Sequence, residues 1–260
     1  CGSKGTSNST LWWSTQIGRI EYKPGAFVNN SDIKRLTYLN YSNKKTKRFG
    51  TTVRVDATLT PDKNTLVIWK MNEKGKSEYS GYKFSVVNKE FDKAKNNEVN
   101  VKENKKIRKA LVFSTKAVKL ATRSFQGLAI TNKIDGKYTL YISSGDERYY
   151  KKTGISIHKY EIKGKKIKHK GTVKLNAADV WSVFPPDTDE EESPDAEESE
   201  ESSDEETDYT EEDVYTDEEE DAVLAEVEAV KIVGSDLQFV VRNTGNADQQ
   251  LICTISRDEF

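Results

Sequence analysis

The chain has few of the residues and segments on which several protein classes depend. No apolar run reaches the roughly 18–20 residues that a transmembrane helix needs. Two cysteines in 260 residues are too few for a disulfide-rich scaffold or a four-thiolate zinc site. The two histidines, His158 and His169, leave little material for imidazole catalysis or a multi-histidine metal site. We therefore expect no transmembrane segment and no metal site.

Catalytic motifs are also absent from the sequence. It contains no glycine-rich phosphate loop, no nucleophile elbow and no zinc-protease helix motif. Ser156 and His158 are two residues apart on a predicted strand, and this spacing is common enough that we interpret His158 as an exposed strand residue. His169 lies between Lys168 and Lys170, whose charges disfavour protonation and metal binding. We expect no catalytic residues, no cofactor and no enzymatic activity.

Charge is present in abundance, but it is unevenly distributed. Residues 187–221 hold 22 of the 43 carboxylates and contain no lysine or arginine. The other 225 residues carry 41 basic and 21 acidic side chains, a net charge of +20. The near-neutral total of −2 therefore hides a cationic body and a polyanionic insertion, and this opposition motivates the hypothesis that the insertion masks the body electrostatically.

Two groups of basic residues are the strongest candidates for a binding surface. One group lies in a predicted hairpin and the other in a predicted loop, and both would attract a polyanion in a salt-dependent way. Lysines on exposed edge strands also prevent aggregation, which accounts for part of the excess but not for +20. The expected polyanion-binding residues are Lys105, Lys106, Arg108, Lys163, Lys165, Lys166, Lys168 and Lys170.

The dominant hydrophobic periodicity is two, which predicts antiparallel hairpins. Residues 51–69, 125–143 and 227–241 each contain two β-prone runs separated by a turn sequence. A fourth hairpin is predicted over 155–175, where the apolar alternation slips once in phase, as a β-bulge would cause.

Three of these hairpins begin with a polar residue followed by a small one. The polar residues are Asp56, Gln126 and Glu228. Their spacing is close to 70 residues once the acidic insertion is left out, and a steady period indicates a repeat architecture. We predict an all-β, β-propeller-like fold whose blades place these residues near the axis. The alternative is a β-sandwich in which the three hairpins are unrelated to one another.

The predicted organisation has four parts. Residues 1–10 form a polar tether or a truncated strand, and residues 11–186 form the propeller-like body. Residues 187–221 are too acidic and too poor in apolar side chains to fold, so a disordered insertion is expected there. Residues 222–260 form a C-terminal blade of the same domain. Within the body, residues 84–109 are predicted to be a solvated excursion between blade strands, with a two-turn surface helix at residues 88–95.

Several short motifs occur in a fixed order along the chain. They are WWSTQIGRI at 12–20, RLTYLN at 35–40, GTTVRVD at 50–56, SFQG at 124–127, EVEA at 226–229, LQFVV at 237–241 and ISRDEF at 255–260. As a set they resemble the helveticin J family of bacteriocins from lactic acid bacteria. The resemblance covers most of residues 11–186 and 223–260.

The resemblance implies a secreted antibacterial protein that acts on related bacteria, together with a cognate immunity protein. The cationic β surface supports a mechanism only as far as adhesion to an anionic envelope, with wall polymer or phospholipid as the target. Family members usually carry further blade-forming sequence at the N-terminus, so the blade set is expected to be incomplete there. The start at Cys1, followed by small polar residues, also fits a lipid-attached mature lipoprotein. A surface-anchored module for wall glycopolymers is therefore the alternative function, and a propeller glycoside hydrolase is a third. Nucleic acid is not expected as a partner.

Overall fold

The computed structural model describes residues 15–21, 23–43, 48–119, 125–145, 155–175, 225–243 and 250–260. This part of the chain is mostly β, as predicted, and is organised in four sheets. The proposed tether at residues 1–10 and the acidic insertion at 187–221 lie outside the described residues, as does Cys1.

Apart from β6, which belongs to sheet I although it follows β5 of sheet II, the four sheets follow one another along the chain. Sheet I orders its strands as β1-β2-β6, sheet II as β3-β4-β5-β7, sheet III as β8-β9-β10-β11 and sheet IV as β12-β13-β14. The pairing is antiparallel throughout, except that β2 and β6 are parallel. The strands are β1 (Ile17–Arg19), β2 (Lys34–Thr37), β3 (Thr52–Leu59), β4 (Thr65–Asn72), β5 (Ser77–Lys83), β6 (Glu98–Asn100), β7 (Leu111–Ser114), β8 (Gly127–Ile130), β9 (Tyr138–Ser144), β10 (Ile155–Lys163), β11 (Lys166–Leu175), β12 (Ala225–Val233), β13 (Asp236–Asn243) and β14 (Gln250–Ser256).

All four predicted hairpins are confirmed. They are the strand pairs β3–β4, β8–β9, β10–β11 and β12–β13. The β8–β9 turn shows why the sequence signal was reliable. Asp135 and Gly136 both have positive φ, of 49° and 79°, a backbone conformation that aspartate tolerates and glycine adopts freely.

The sheets stack face to face in chain order, because the strands in the middle are apolar on both faces. In β4, Ile68 packs towards sheet I and Trp69 packs towards sheet III. In β9, Leu140 faces sheet II and Tyr141 faces sheet IV. Sheets II and III are therefore each buried on both sides.

The first strands of sheets II, III and IV lie next to each other along one side of this stack. Strand β8 contacts both β3 and β12. The approach of β8 to β12 is close, since a Cβ atom added to Gly127 would lie 3.1 Å from the Cα atom of Ala229. We call β3, β8 and β12 the inner strands; each is one edge strand of its sheet. The last strands, β7, β11 and β14, are the opposite edge strands, which we call the outer edges.

The phase slip in β10 has a more specific cause than the sequence indicated. A bulge is present, as predicted, but the extra residue is Lys170 on β11, and the register between β10 and β9 is unbroken. The alternation changes because Ile157 packs towards sheet IV, whereas Tyr160 packs towards sheet II.

The prediction of a merely solvated excursion at residues 84–109 is wrong. Helix α1 (Phe84–Asp92) begins four residues before the predicted helix, and helix α2 (Lys105–Lys109) follows β6. Val87 and Phe91 of α1 and Ile107 of α2 are fully or nearly fully buried in the cluster between sheets I and II. Val87 and Phe91 are four residues apart and share one helix face, so even a short helix covers part of the core.

Candidate functional site

The hairpin lysines (Lys163, Lys165, Lys166, Lys168 and Lys170) are all exposed. They lie in and around the β10–β11 turn and along β11, which is the outer edge strand of sheet III. The N–H group of Lys116 donates to the carbonyl oxygen of Lys165 at 2.9 Å, which fixes the turn against the segment that follows β7. The hairpin lysines therefore sit on an ordered outer edge and face water.

The second predicted group lies on and around α2. Asn104 caps this helix, because its side-chain oxygen accepts from the N–H groups of Lys106 and Ile107 at 2.9 and 3.0 Å. The buried side chain of Ile107 anchors the turn, which leaves Lys105 and Lys106 exposed. Arg108 is half-buried and donates to the carbonyl oxygen of Lys102 at 3.0 Å.

Helix α1 adds lysines that the sequence analysis missed. Together with α2 it forms a cleft of about 600 Å³, the lysine groove. Glu90 lies in this groove, 3.4 Å from the Nζ atom of Lys106, and a hydrogen bond from Asn104 together with the nearby lysines lowers the pKa of Glu90. The lysines that line the groove are Lys83, Lys89, Lys93, Lys106 and Lys109. The spacing of Lys89 and Lys93, four residues apart on a helix, was the signal that could have indicated them.

The predicted blade-start residues lie on or beside the three inner strands. Asp56 is half-buried in β3, where its carboxylate accepts from the N–H of Ala57 at 2.7 Å and burial raises its pKa. Gln126 precedes β8, and Glu228 lies at a β-bulge of β12, 3.7 Å from the guanidinium of Arg242. The close approach of Gly127 to Ala229 brings Gln126 and Glu228 near each other.

An aromatic stack that the sequence analysis did not identify includes Trp69, the cross-strand partner of Asp56. The rings of Trp69 and Phe125 are parallel to within 7°, with centroids 3.7 Å apart. The guanidinium carbon of Arg54 lies 5.8 and 5.4 Å from their centroids, within cation–π distance. The stack joins β4 of sheet II to the segment just before β8 of sheet III.

The inner strands also border a cleft of about 230 Å³. Its walls include the C-terminal parts of β3, β8 and β12, so these three strands run in the same direction. The lining is mainly apolar, with Lys63 and Lys231 as its charged members. The N–H of Asp62 donates to Asn132 at 3.0 Å and links the β3–β4 turn to the segment after β8.

The two histidines are brought together, which the sequence did not predict. Because Lys170 is an extra residue, His169 pairs with Tyr160 and lies beside Thr172 and His158. Thr172 Oγ1 lies 2.9 Å from both His158 Nδ1 and His169 Nε2, and His158 Nε2 lies 2.9 Å from Ser156 Oγ. The expectation of an exposed His158 is wrong, because it is half-buried. Burial, and to a lesser degree the nearby His169, lowers the pKa of His158 to about 4.

One lysine is fully buried. The side chain of Lys70 in β4 is 0% exposed, and its Nζ atom lies 2.8 Å from a carboxylate oxygen of Glu78. The same ammonium group donates to Ser42 Oγ at 2.8 Å and to Ser80 Oγ at 3.3 Å. Burial lowers the pKa of Lys70, and the charge of Glu78 opposes that shift. This lysine ties the segment around Ser42 to sheet II and presents no charge to solvent.

Comparison with known proteins supplies the family. The family model described as bacteriocin helveticin-J matches residues 1–242. The chain belongs to the helveticin J family. No curated protein and no solved structure matches it.

Three of the helveticin J motifs named above coincide with the beginnings of sheets. GTTVRVD leads into β3, SFQG leads into β8, and EVEA contains the bulge of β12. The resemblance noted at residues 255–260 lies beyond the part that the helveticin J model matches.

The described residues contain neither a membrane-spanning helix nor a cluster of metal-ligating side chains. Within the described ranges, no helix is long and apolar enough to cross a membrane. The same part of the chain contains no group of three or more histidine, cysteine, aspartate or glutamate side chains placed to hold a metal ion.

Proposed function

We propose that this chain is a secreted, non-enzymatic antibacterial protein that binds the anionic cell envelope of related bacteria through its cationic outer edges. Membership of the helveticin J bacteriocin family supports the antibacterial part. The exposure of the hairpin lysines on an outer edge strand carries the binding part, because these charges are ordered and face solvent, with Glu161 of β10 as the acidic residue paired opposite Lys168.

We also infer that sheets II, III and IV are blades of a β-propeller-like fold. The stacking of the sheets in chain order supports this arrangement, as do three inner strands that run in one direction beside a shared cleft. Such a fold turns the last strand of each blade outwards. The lysines of β11 would then lie on the rim, where an extended polyanion has access.

The test compares charge with side-chain identity at the same positions. The variant with all five hairpin lysines changed to serine should give smaller zones of inhibition on related bacteria and bind isolated envelopes more weakly at low salt. Binding should also lose part of its salt dependence, because fewer counterions are released. The matched variant with five arginines should keep both properties.

Three other outcomes would favour a different function or exclude the proposed contact. Envelope binding without any zone of inhibition would favour the alternative of a surface-anchored module for wall glycopolymers. Release of reducing sugar from cell walls would favour the glycoside hydrolase. Equal binding by the serine and arginine variants would exclude the hairpin lysines as the contact.

The acidic insertion provides a second test of the electrostatic proposal. If residues 187–221 mask the cationic body, deleting them should strengthen binding to anionic surfaces at low salt, with little effect at high salt. A variant with an uncharged insertion of the same length separates charge from length. Unchanged binding in both variants would reject the masking hypothesis.

A further inference from the structure

The loop between β1 and β2 presents an apolar tip at residues 24–28 (Pro24-Gly25-Ala26-Phe27-Val28). The tip begins with a defined turn, in which the N–H of Ala26 donates to the carbonyl oxygen of Lys23 at 3.1 Å. Gly25 has φ of +73°, and proline followed by such a glycine is the sequence of a type II turn. The tip is therefore held in a definite shape by its own sequence.

Both ends of this loop are fixed to the rest of the protein. At the first end, the guanidinium of Arg19 donates to the side chains of Asn88 and Asp92 of α1, each at 2.6 Å. At the second end, the side-chain amide of Asn97 donates to the carbonyl oxygen of Ser31, and within the loop the N–H of Asn29 donates to the carboxylate of Asp32 at 2.9 Å. The apolar tip therefore lies between two anchored ends of the loop.

The apolar side chains on this loop are exposed to an unusual degree. Phe27 is 97% exposed, Ile20 is 52% exposed and Val28 is 40% exposed. Single exposed apolar residues are ordinary, but three large ones on one anchored loop mark a surface that is covered by something else. Among the described residues, none covers the ring of Phe27.

The surroundings of the tip indicate the chemistry of what covers it. Asn88 and Asp92 hold the loop on one flank of α1, whereas Lys89 and Lys93 line the lysine groove on the other flank. Val87 and Phe91 face the core, so the outward side of α1 lies between the apolar tip and the lysine groove. The cleft beside the tip has charges of both signs: the basic Arg19, Lys23 and Lys34 and the acidic Glu21, Asp32 and Asp92. Aromatic side chains and lysines side by side are what bind proteins to the interface of an anionic bilayer.

We propose that the apolar tip inserts Phe27 into the interfacial region of an anionic phospholipid bilayer while the lysine groove binds the lipid headgroups. This inference rests on the proposed function and selects one component of the envelope. A wall polymer would also attract the lysines, but it offers no apolar phase for Phe27. Dependence on Phe27 therefore distinguishes the bilayer from the polymer.

The test uses the full chain and vesicles of phosphatidylcholine with or without phosphatidylglycerol. Phe27→Ser should weaken binding to the anionic vesicles about tenfold or more, since the contact loses most of a phenylalanine side chain. Ile134→Ser is the matched control, because Ile134 is 63% exposed at the β8–β9 turn, and its binding should equal that of the wild type. Phe27→Trp should show additional fluorescence quenching by brominated lipid.

The remaining outcomes distinguish a failure of this inference from a failure of the proposed function. Equal vesicle binding by Phe27→Ser and the wild type would overturn the inference. Binding to isolated wall polymer but not to vesicles would also overturn it, and the proposed function would stand. Absence of binding to both materials, together with absence of inhibition zones, would remove the proposed function itself. A loss of self-association in Phe27→Ser, measured by sedimentation velocity without vesicles, would assign the tip to a second copy of the chain and contradict the bilayer.

Discussion

Strands β4 and β11 use lysine in opposite ways. In β4, a central strand of sheet II, Lys70 is completely buried and is bound by Glu78, Ser42 and Ser80. In β11, the edge strand of sheet III, Lys168 and its neighbours extend into solvent. The net charge of a sequence therefore does not measure its binding surface, because the position of a strand within its sheet decides whether a lysine supports the fold or meets a partner.

The largest expected effect comes from removing the buried lysine. Lys70→Ala leaves Glu78 buried without its counter-charge and should lower the free energy of unfolding by about 3–5 kcal/mol, measured by urea denaturation. The double variant Lys70→Met with Glu78→Gln removes both charges and should recover much of the loss. If the single variant is as stable as the wild type, the ion pair has no structural role.

Leu140→Ala tests the core without any change in charge. Leu140 is 0% exposed between sheets II and III, so truncation should cost about 2–5 kcal/mol of unfolding free energy. Zones of inhibition should shrink accordingly if killing needs the folded body rather than loose cationic segments. Full activity at a temperature where the variant is unfolded would show that the fold is dispensable.

The half-buried His158 gives a smaller effect that depends on pH. Its pKa of about 4 lies below the ordinary value near 6.5, so the unfolded chain takes up this proton first as pH falls. The contribution of His158 to stability is complete above about pH 6.5 and is lost as pH falls towards 4. The stability of the wild type relative to His158→Gln should fall by about 1 kcal/mol from pH 7 to pH 5 by urea titration, roughly half of what the full pKa shift would give, because solvent screens a half-buried group. A constant difference would mean that His158 titrates normally.

The smallest effect on stability is expected at the edge strand. Lys168→Ser should change the free energy of unfolding by no more than about 0.5 kcal/mol, because an exposed side chain away from the core contributes little. Thermal unfolding of this variant beside Lys70→Ala tests the comparison between the two strands directly. A large loss in Lys168→Ser would show that the hairpin lysines are structural.

Local patterns in the sequence were sufficient for the strands and turns. Alternating apolar residues and turn residues such as Asp135-Gly136 act over a few positions, and the hairpins they predict are present.

What the sequence could not show depends on which surfaces meet in three dimensions. The apolar pair Val87 and Phe91 becomes part of the core only because α1 packs between sheets I and II. The meeting of the two histidines needs one extra residue in β11, and alternation alone does not reveal which strand carries it. The exposure of Phe27 is equally invisible in the sequence, since a phenylalanine is ordinarily expected inside a protein.

Burial of sheet III on both faces has a consequence for how such a protein can diversify. A polar substitution on either face of β9 would be desolvated against a neighbouring sheet, so this strand tolerates little change. The outer strand β11, the lysine groove and the apolar tip contribute little to that core and are free to vary. If these outer features contact the target as proposed, substitutions there should change target preference without altering the scaffold.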